Sequence, residues 1–93
     1  MTNNKGGLHC RVCGLLQSEP PWGEDGKDPS YEICDCCGVE FGYEDATPAG
    51  VVRARKKWRE SGYRWVESSA RPEDWDPAEQ LQYAWHVDGL EAE

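Results

Sequence analysis

The sequence predicts a small α+β domain in which short antiparallel strands and two C-terminal helices are held together by a metal ion. Three observations lead to this prediction. A C-x-x-C-G segment occurs twice, at residues 10–14 and 34–38, and two helix-start signals follow in the second half. Only 38% of the 93 residues are hydrophobic. A chain this short and polar buries little apolar surface, so an additional crosslink or bound ion is expected.

The cysteine pattern favours metal binding over disulfide bonding. Cys10 and Cys13 form one C-x-x-C pair, and Cys34 and Cys37 form a second pair after 20 intervening residues. Five cysteines cannot form a complete set of disulfides, whereas two such pairs are typical of four-thiolate zinc sites. We therefore predict one ion between two facing turns, as in a zinc ribbon or a rubredoxin. Zn²⁺ is the predicted metal, and iron is the alternative.

The remaining cysteine and the two histidines point to no catalytic arrangement. Cys36 is interpreted as a small side chain in the second turn. The alternatives are a reactive thiol beside the metal, or a swapped ligand set in which Cys36 replaces Cys34 or Cys37 and the three-residue spacing is lost. His9 adjoins Cys10 and could lie next to the site or replace a ligand, and His86 is predicted on the surface. Neither histidine has a partner at a spacing that suggests a triad. We expect no enzymatic activity.

The predicted domain spans residues 8–88, with a ribbon at 8–46 and a helical part at 47–88. Residues 1–7 are predicted to be a flexible tail and residues 89–93 a frayed tail. In the ribbon, residues 31–33 resemble a short strand, and the alternation of Val39, Phe41 and Tyr43 predicts the returning strand. Residues 17–30 contain glycines and prolines that break regular structure, so they are predicted to form a loop.

Two helices are predicted in the helical part. The first begins at Thr47 and Pro48, which suit the cap and the first helical position, and ends at Gly62. Its apolar stripe is Val51, Ala54, Arg55 and Trp58. The second begins at Asp76 and Pro77 and is expected to end at Gly89. Its stripe is Ala78, Leu81, Ala84 and Trp85.

The net charge of the chain limits the classes of partner that it can bind. The formal net charge of −8 opposes binding to nucleic acids and to anionic membranes, and it favours a basic protein partner. No apolar segment approaches the roughly 18 residues of a membrane span, and the first seven residues do not resemble a signal peptide. We therefore expect a cytoplasmic protein-interaction module. Its candidate exposed aromatics are Trp22, Trp65 and Trp75.

Two alternatives remain open. A rubredoxin-like electron carrier would use the same four sulfurs with iron. A nucleic-acid-binding zinc ribbon would use a basic cluster in the first helix, together with the neighbouring aromatics Trp58, Tyr63 and Trp65. The cluster consists of Arg53, Arg55, Lys56, Lys57 and Arg59, with Arg64 nearby. The overall acidity makes a solvated helix face the favoured interpretation of these residues.

The segment YEICDCCGVEFG at residues 31–42 resembles the signature of small, mostly bacterial, cysteine-rich proteins of unassigned function. The resemblance extends from about Cys10 to Leu81. It includes the Glu-Pro-Pro loop at 19–21, the helix that ends near Trp58, and the segments 75–77 and 80–81. It implies a rubredoxin-like zinc ribbon with a small helical addition. It also suggests an association with immunity or toxin systems.

Overall fold

The computed structural model describes residues 7–87. Its helices are α1, Pro48–Glu60, a short 3₁₀ helix, Ser68–Ala70, and α2, Pro77–Leu81. None of these helices in the described part is long and apolar enough to cross a lipid bilayer. Residues 1–6 and 88–93, which include most of the two predicted tails and the expected helix end at Gly89, lie outside the described residues.

Residues 8–17 and 32–41 form two hairpins with the same backbone hydrogen bonds. In the first hairpin, the amide of Cys10 donates to the carbonyl of Leu15, and the amide of Gly14 donates to the carbonyl of Cys10, both at 2.9 Å. The second hairpin repeats these two bonds 24 residues later in the chain, at 2.9 and 3.0 Å. The two C-x-x-C-G segments therefore adopt equivalent turns.

The strands expected in the ribbon do not form within residues 7–87. Each hairpin contains one isolated antiparallel bridge: His9 with Leu16, and Ile33 with Glu40. Tyr31 has a φ of 62°, so the chain is not extended where it enters the second hairpin. After that hairpin the chain folds into consecutive turns, in which the carboxylate of Asp45 accepts from the amide of Gly42 at 2.7 Å. Backbone pairing is therefore limited to the hairpins themselves.

Helix α1 has the predicted start and buried face. The hydroxyl of Thr47 accepts a hydrogen bond from the amide of Gly50 at 3.0 Å, and Pro48 occupies the first helical position. The chain leaves the helix through Gly62, whose φ is 87°. Three members of the predicted stripe are buried: Val51, Arg55 and Trp58.

Helix α2 begins as predicted, with Asp76 as its N-cap, but it is shorter than the sequence pattern indicates. It ends at Leu81 and does not continue through Trp85. The amide of Trp85 donates to the carbonyl of Arg11 at 3.0 Å, and the carbonyl of Trp85 accepts from the guanidinium of Arg55 at 2.7 Å. These bonds to the first hairpin and to α1 replace the bonds that would continue the helix.

The second half of the chain covers both hairpins. The segment after α1 lies on the second hairpin, where the amide of Val66 donates to the carbonyl of Cys36 at 3.0 Å. Helix α2 packs on the first hairpin beside Gly14. The core between these layers consists of buried side chains from both halves: Cys10, Val12, Cys13, Cys34, Cys36, Val39, Phe41, Val51, Trp58 and Trp65.

Gly14 and Gly62 provide a matched test of the contact between α2 and the first hairpin. Their φ values are 89° and 87°, a left-handed conformation that costs alanine roughly 1–2 kcal/mol. A Cβ at Gly14 would overlap the carbonyl oxygen of Gln80, whereas a Cβ at Gly62 would meet no atom within 4 Å. By chemical denaturation, we expect Gly14→Ala to lower the free energy of unfolding by about 3 kcal/mol or more and Gly62→Ala by about 1 kcal/mol. Equal losses of unfolding free energy in the two variants would contradict the close packing of α2 against Gly14.

Candidate metal centre

The two hairpins bring four cysteine sulfurs together inside the molecule. The Sγ atoms of Cys10 and Cys37 lie 3.7 Å apart, and those of Cys13 and Cys34 also lie 3.7 Å apart. All four Sγ atoms lie within 4.8 Å of one another. Each close pair joins one hairpin to the other. Three of these side chains are fully buried, and Cys37 is half-buried.

These distances fit a tetrahedral metal ion better than they fit disulfides. Bonded sulfurs in a disulfide are about 2.05 Å apart, and all five cysteines are free thiols here. Four sulfurs at about 2.3 Å from a central ion, at the corners of a tetrahedron, are separated by about 3.8 Å. The cluster can therefore hold one metal ion between the two turns.

The clustered thiols alter one another's protonation. Hydrogen bonds from Cys10, and then from Cys13 and Cys37, lower the pKa of Cys34. The hydrogen bond with Cys10 is the largest cause of the raised pKa values of Cys13 and Cys37. The first thiolate is stabilised by neighbouring S–H groups, and each further thiolate meets a like charge. A divalent cation reverses this balance because it stabilises all four thiolates together.

Two glutamine side chains support the cluster from outside. The amide nitrogen of Gln17 lies 3.6 Å from the Sγ of Cys34 and also donates to a backbone carbonyl of the first hairpin at 3.2 Å. The amide nitrogen of Gln80, on α2, donates to the carbonyl of Cys13 at 3.1 Å. No spacing or motif in the sequence predicted these contacts, although Gln80 lies within the resemblance described above.

The fifth cysteine and the histidines lie outside the cluster. Cys36 is fully buried, and its Sγ lies 3.5 Å from the amide nitrogen of Gln80. This environment accords with a small side chain enclosed in the second turn. His9 is half-buried and stacks on Tyr83, with ring centroids 4.8 Å apart, and His86 is exposed.

The side chain of Arg55 links α1 to the first hairpin, a contact that the sequence pattern did not indicate. Its guanidinium donates to the backbone carbonyls of Val12 and Arg11, both at 2.8 Å, and to that of Trp85 at 2.7 Å. Because Arg55 is only 4% exposed, its inclusion in an exposed basic cluster was wrong. Trp58 and Trp65 are also buried and Tyr63 is half-buried, so these three aromatics do not form the exposed stacking surface expected beside the basic cluster.

The expectation of exposed tryptophans was wrong as well. Trp65 is 5% exposed, and Trp22 and Trp75 are half-buried. Trp22 stacks on the guanidinium of Arg11 at 3.9 Å and donates to the buried carboxylate of Asp45 at 2.9 Å. Among residues 7–87, the exposed large apolar and aromatic side chains are instead Leu8, Leu16, Tyr31, Ile33, Tyr43, Val66 and Tyr83.

The structure thus defines a small globular protein with a four-cysteine cluster able to hold a metal ion. The chain is similar to two uncharacterised proteins of Bacillus subtilis (strain 168), YoaQ and YozI. It is 37% identical to YoaQ over 82 residues and 32% identical to YozI over 83 residues. Each alignment covers 70% of this chain and 64% of the relative, so the chain spans less than two thirds of their length. No protein-family profile matches the chain. No solved structure matches it either.

Proposed function

We propose that Cys10, Cys13, Cys34 and Cys37 bind one Zn²⁺ ion, and that this ion stabilises a small domain used for protein interactions. The observation that carries the proposal is the pair of 3.7 Å sulfur contacts between the two hairpins. The described part has no β-sheet to join the hairpins. Structural zinc contributes on the order of 10–16 kcal/mol in small zinc domains, more than the ~5 kcal/mol that a small core supplies.

Elemental analysis of protein purified without affinity metals tests this proposal directly. We expect a colourless protein with about one zinc per chain. Prolonged treatment with a strong chelator should remove the zinc, lower the melting temperature and reduce the helical circular dichroism signal. Folded protein that contains no transition metal, or that melts at the same temperature after the metal is removed, would refute a structural zinc site.

Iron remains the second candidate because of the position of Cys37. This residue is half-buried, whereas the other three cysteines are fully buried, so the edge of the centre that lies nearest the surface is at Cys37. Transfer of an electron to a partner requires such an exposed edge. A red protein with about one iron per chain and a reversible one-electron reduction would establish the carrier and exclude the structural zinc.

The interaction surface that we propose lies beside the second hairpin. Tyr31, Ile33 and Tyr43 are 62%, 52% and 75% exposed, and a Cβ placed at Gly42 would contact the ring of Tyr31. Aromatic side chains of this kind are enriched at protein interfaces, and the net charge of −8 favours a basic partner. Crosslinking in native cells should recover a partner that the double variant Tyr31→Ser/Tyr43→Ser no longer captures, although the variant retains its zinc.

Zinc affinity should fall as the pH decreases. Zinc-bound thiolates have folded-state pKa values below that of a free thiol, so their stabilisation is present at higher pH and is lost as acid protonates the sulfurs. In the metal-free cluster, the pKa values of Cys13 and Cys37 are instead raised and that of Cys34 is lowered. At pH 7 we therefore expect the release of about three to four protons per zinc, measured with an indicator in weakly buffered solution. Release of one proton or none would contradict a four-thiolate site.

A further inference from the structure

We propose that small anionic chelating ligands reach the metal centre through a cationic cleft, and that Cys37 is the first ligand to be exchanged there. Such ligands carry carboxylate or thiolate groups and can deliver or remove the ion. The inference rests on the proposed zinc site. It adds a route by which the metal enters and leaves, lined by one of the four cysteines.

The cleft has a volume of about 450 Å³ and lies between the second hairpin, α1 and the segment that follows α1. Cys37 lines it together with its neighbours Gly38 and Val39, and the other three cysteines of the cluster do not. Those three cysteines are fully buried, and Cys37 is half-buried. A solute that approaches through the cleft therefore meets the sulfur-bearing residue of only one ligand.

The charges around the cleft favour an anion although the whole molecule is acidic. Lys57 and Arg64 line the cleft and are exposed, and the one carboxylate in its lining belongs to Glu44. That carboxylate accepts a hydrogen bond from the amide of Glu40 at 3.0 Å, which holds it against the second hairpin. Two exposed cations in the lining of a concave surface raise the local concentration of anions and their rate of arrival.

The exchange needs no oxidant or reductant. A donor atom of the incoming ligand replaces the Cys37 sulfur, which takes up a proton from solvent as it leaves the metal. One metal–sulfur bond breaks and one metal–ligand bond forms. The remaining three sulfurs are enclosed by the core, so their release follows that of Cys37.

Zinc removal by chelators of different charge tests the route. The double variant Lys57→Glu/Arg64→Glu reverses both cations of the cleft. The matched control Lys56→Glu/Arg59→Glu makes the same charge change at exposed positions of α1 that do not line the cleft. Zinc retained by each loaded protein is measured after timed exposure to anionic EDTA or to neutral 1,10-phenanthroline, followed by rapid desalting.

At low salt we expect EDTA to remove zinc from the cleft variant about tenfold more slowly than from the wild-type protein. At high salt the difference between these two rates should be smaller. The control should change by less than about twofold, and removal by phenanthroline should be similar in all three proteins. An EDTA rate that does not depend on EDTA concentration, or that falls equally in both variants, would overturn the route. Absence of zinc from the wild-type protein would instead overturn the proposed function.

Alkylation gives a second readout that does not depend on zinc removal. In zinc-loaded protein, peptide mass spectrometry should find the first carboxymethyl group on Cys37, as its thiolate displaces iodide from iodoacetate. The cleft variant should slow labelling by anionic iodoacetate more than labelling by neutral iodoacetamide. First labelling at any other cysteine of the cluster would contradict the assignment.

Discussion

Replacing Cys13 by serine is expected to abolish stoichiometric zinc binding and to unfold the domain at room temperature. The Sγ of Cys13 is fully buried and lies 3.7 Å from that of Cys34, so one bridge between the hairpins would be lost. Serine supplies a weak ligand for zinc, and metal binding is coupled to folding in small zinc domains. Elemental analysis and circular dichroism of the purified variant measure both effects.

Cys36→Ser is the matched control for this variant. Cys36 is equally buried and lies in the same turn as Cys34 and Cys37, but it is not one of the four clustered cysteines. We expect it to retain about one zinc per chain and to lose about 1–2 kcal/mol of stability, because a hydroxyl can still accept from Gln80. If Cys36→Ser lost zinc and Cys13→Ser retained it, the proposed ligand set would be wrong.

Arg55→Met is expected to lower the free energy of unfolding by about 3–5 kcal/mol. The guanidinium donates to the backbone carbonyls of Arg11, Val12 and Trp85, at 2.7 to 2.8 Å. Methionine fills much of the same volume but supplies no donor, so these carbonyls lose their bonds to the guanidinium within the core. Chemical denaturation of the zinc-loaded protein measures the loss.

Lys56→Met is the control for the Arg55 variant, because Lys56 is the exposed neighbour on the same helix. Removal of its charge should change stability by about 0.5 kcal/mol or less. The Arg55 variant should also expose Trp85, which shifts its fluorescence towards that of tryptophan in water. Similar stabilities for the two variants would show that the guanidinium bonds do not hold the second half of the chain to the first hairpin.

The sequence predicted those features that depend on neighbouring residues. The limits of α1 are specified by residues at its own ends. Thr47 caps the helix, Pro48 suits its first position, and Gly62 permits the positive φ with which the chain leaves it. The two C-x-x-C-G segments likewise specify equivalent turns, because the glycine accepts the positive φ that closes each turn. The four clustered cysteines could be chosen from five by this spacing alone.

Features that depend on distant contacts could not be predicted from the sequence. Helix α2 stops early because Trp85 bonds to Arg11, which lies 74 residues earlier in the chain. The burial of Arg55 depends on three carbonyls that no local pattern places beside α1. The exposure of Cys37 depends on how the segment after α1 lies on the second hairpin. Periodicity marked the correct stripe on α1, but it could not show that Arg55, the one cation in that stripe, would be enclosed.

The division of the chain into a cysteine-bearing half and a covering half has a consequence for its synthesis. All four clustered sulfurs precede residue 38, and the helices that enclose them follow residue 47. The four clustered cysteines therefore leave the ribosome before the helices that cover them. During that interval the thiols are open to oxidants, so early binding of the proposed zinc ion would protect the nascent polypeptide until α1 and α2 close over it.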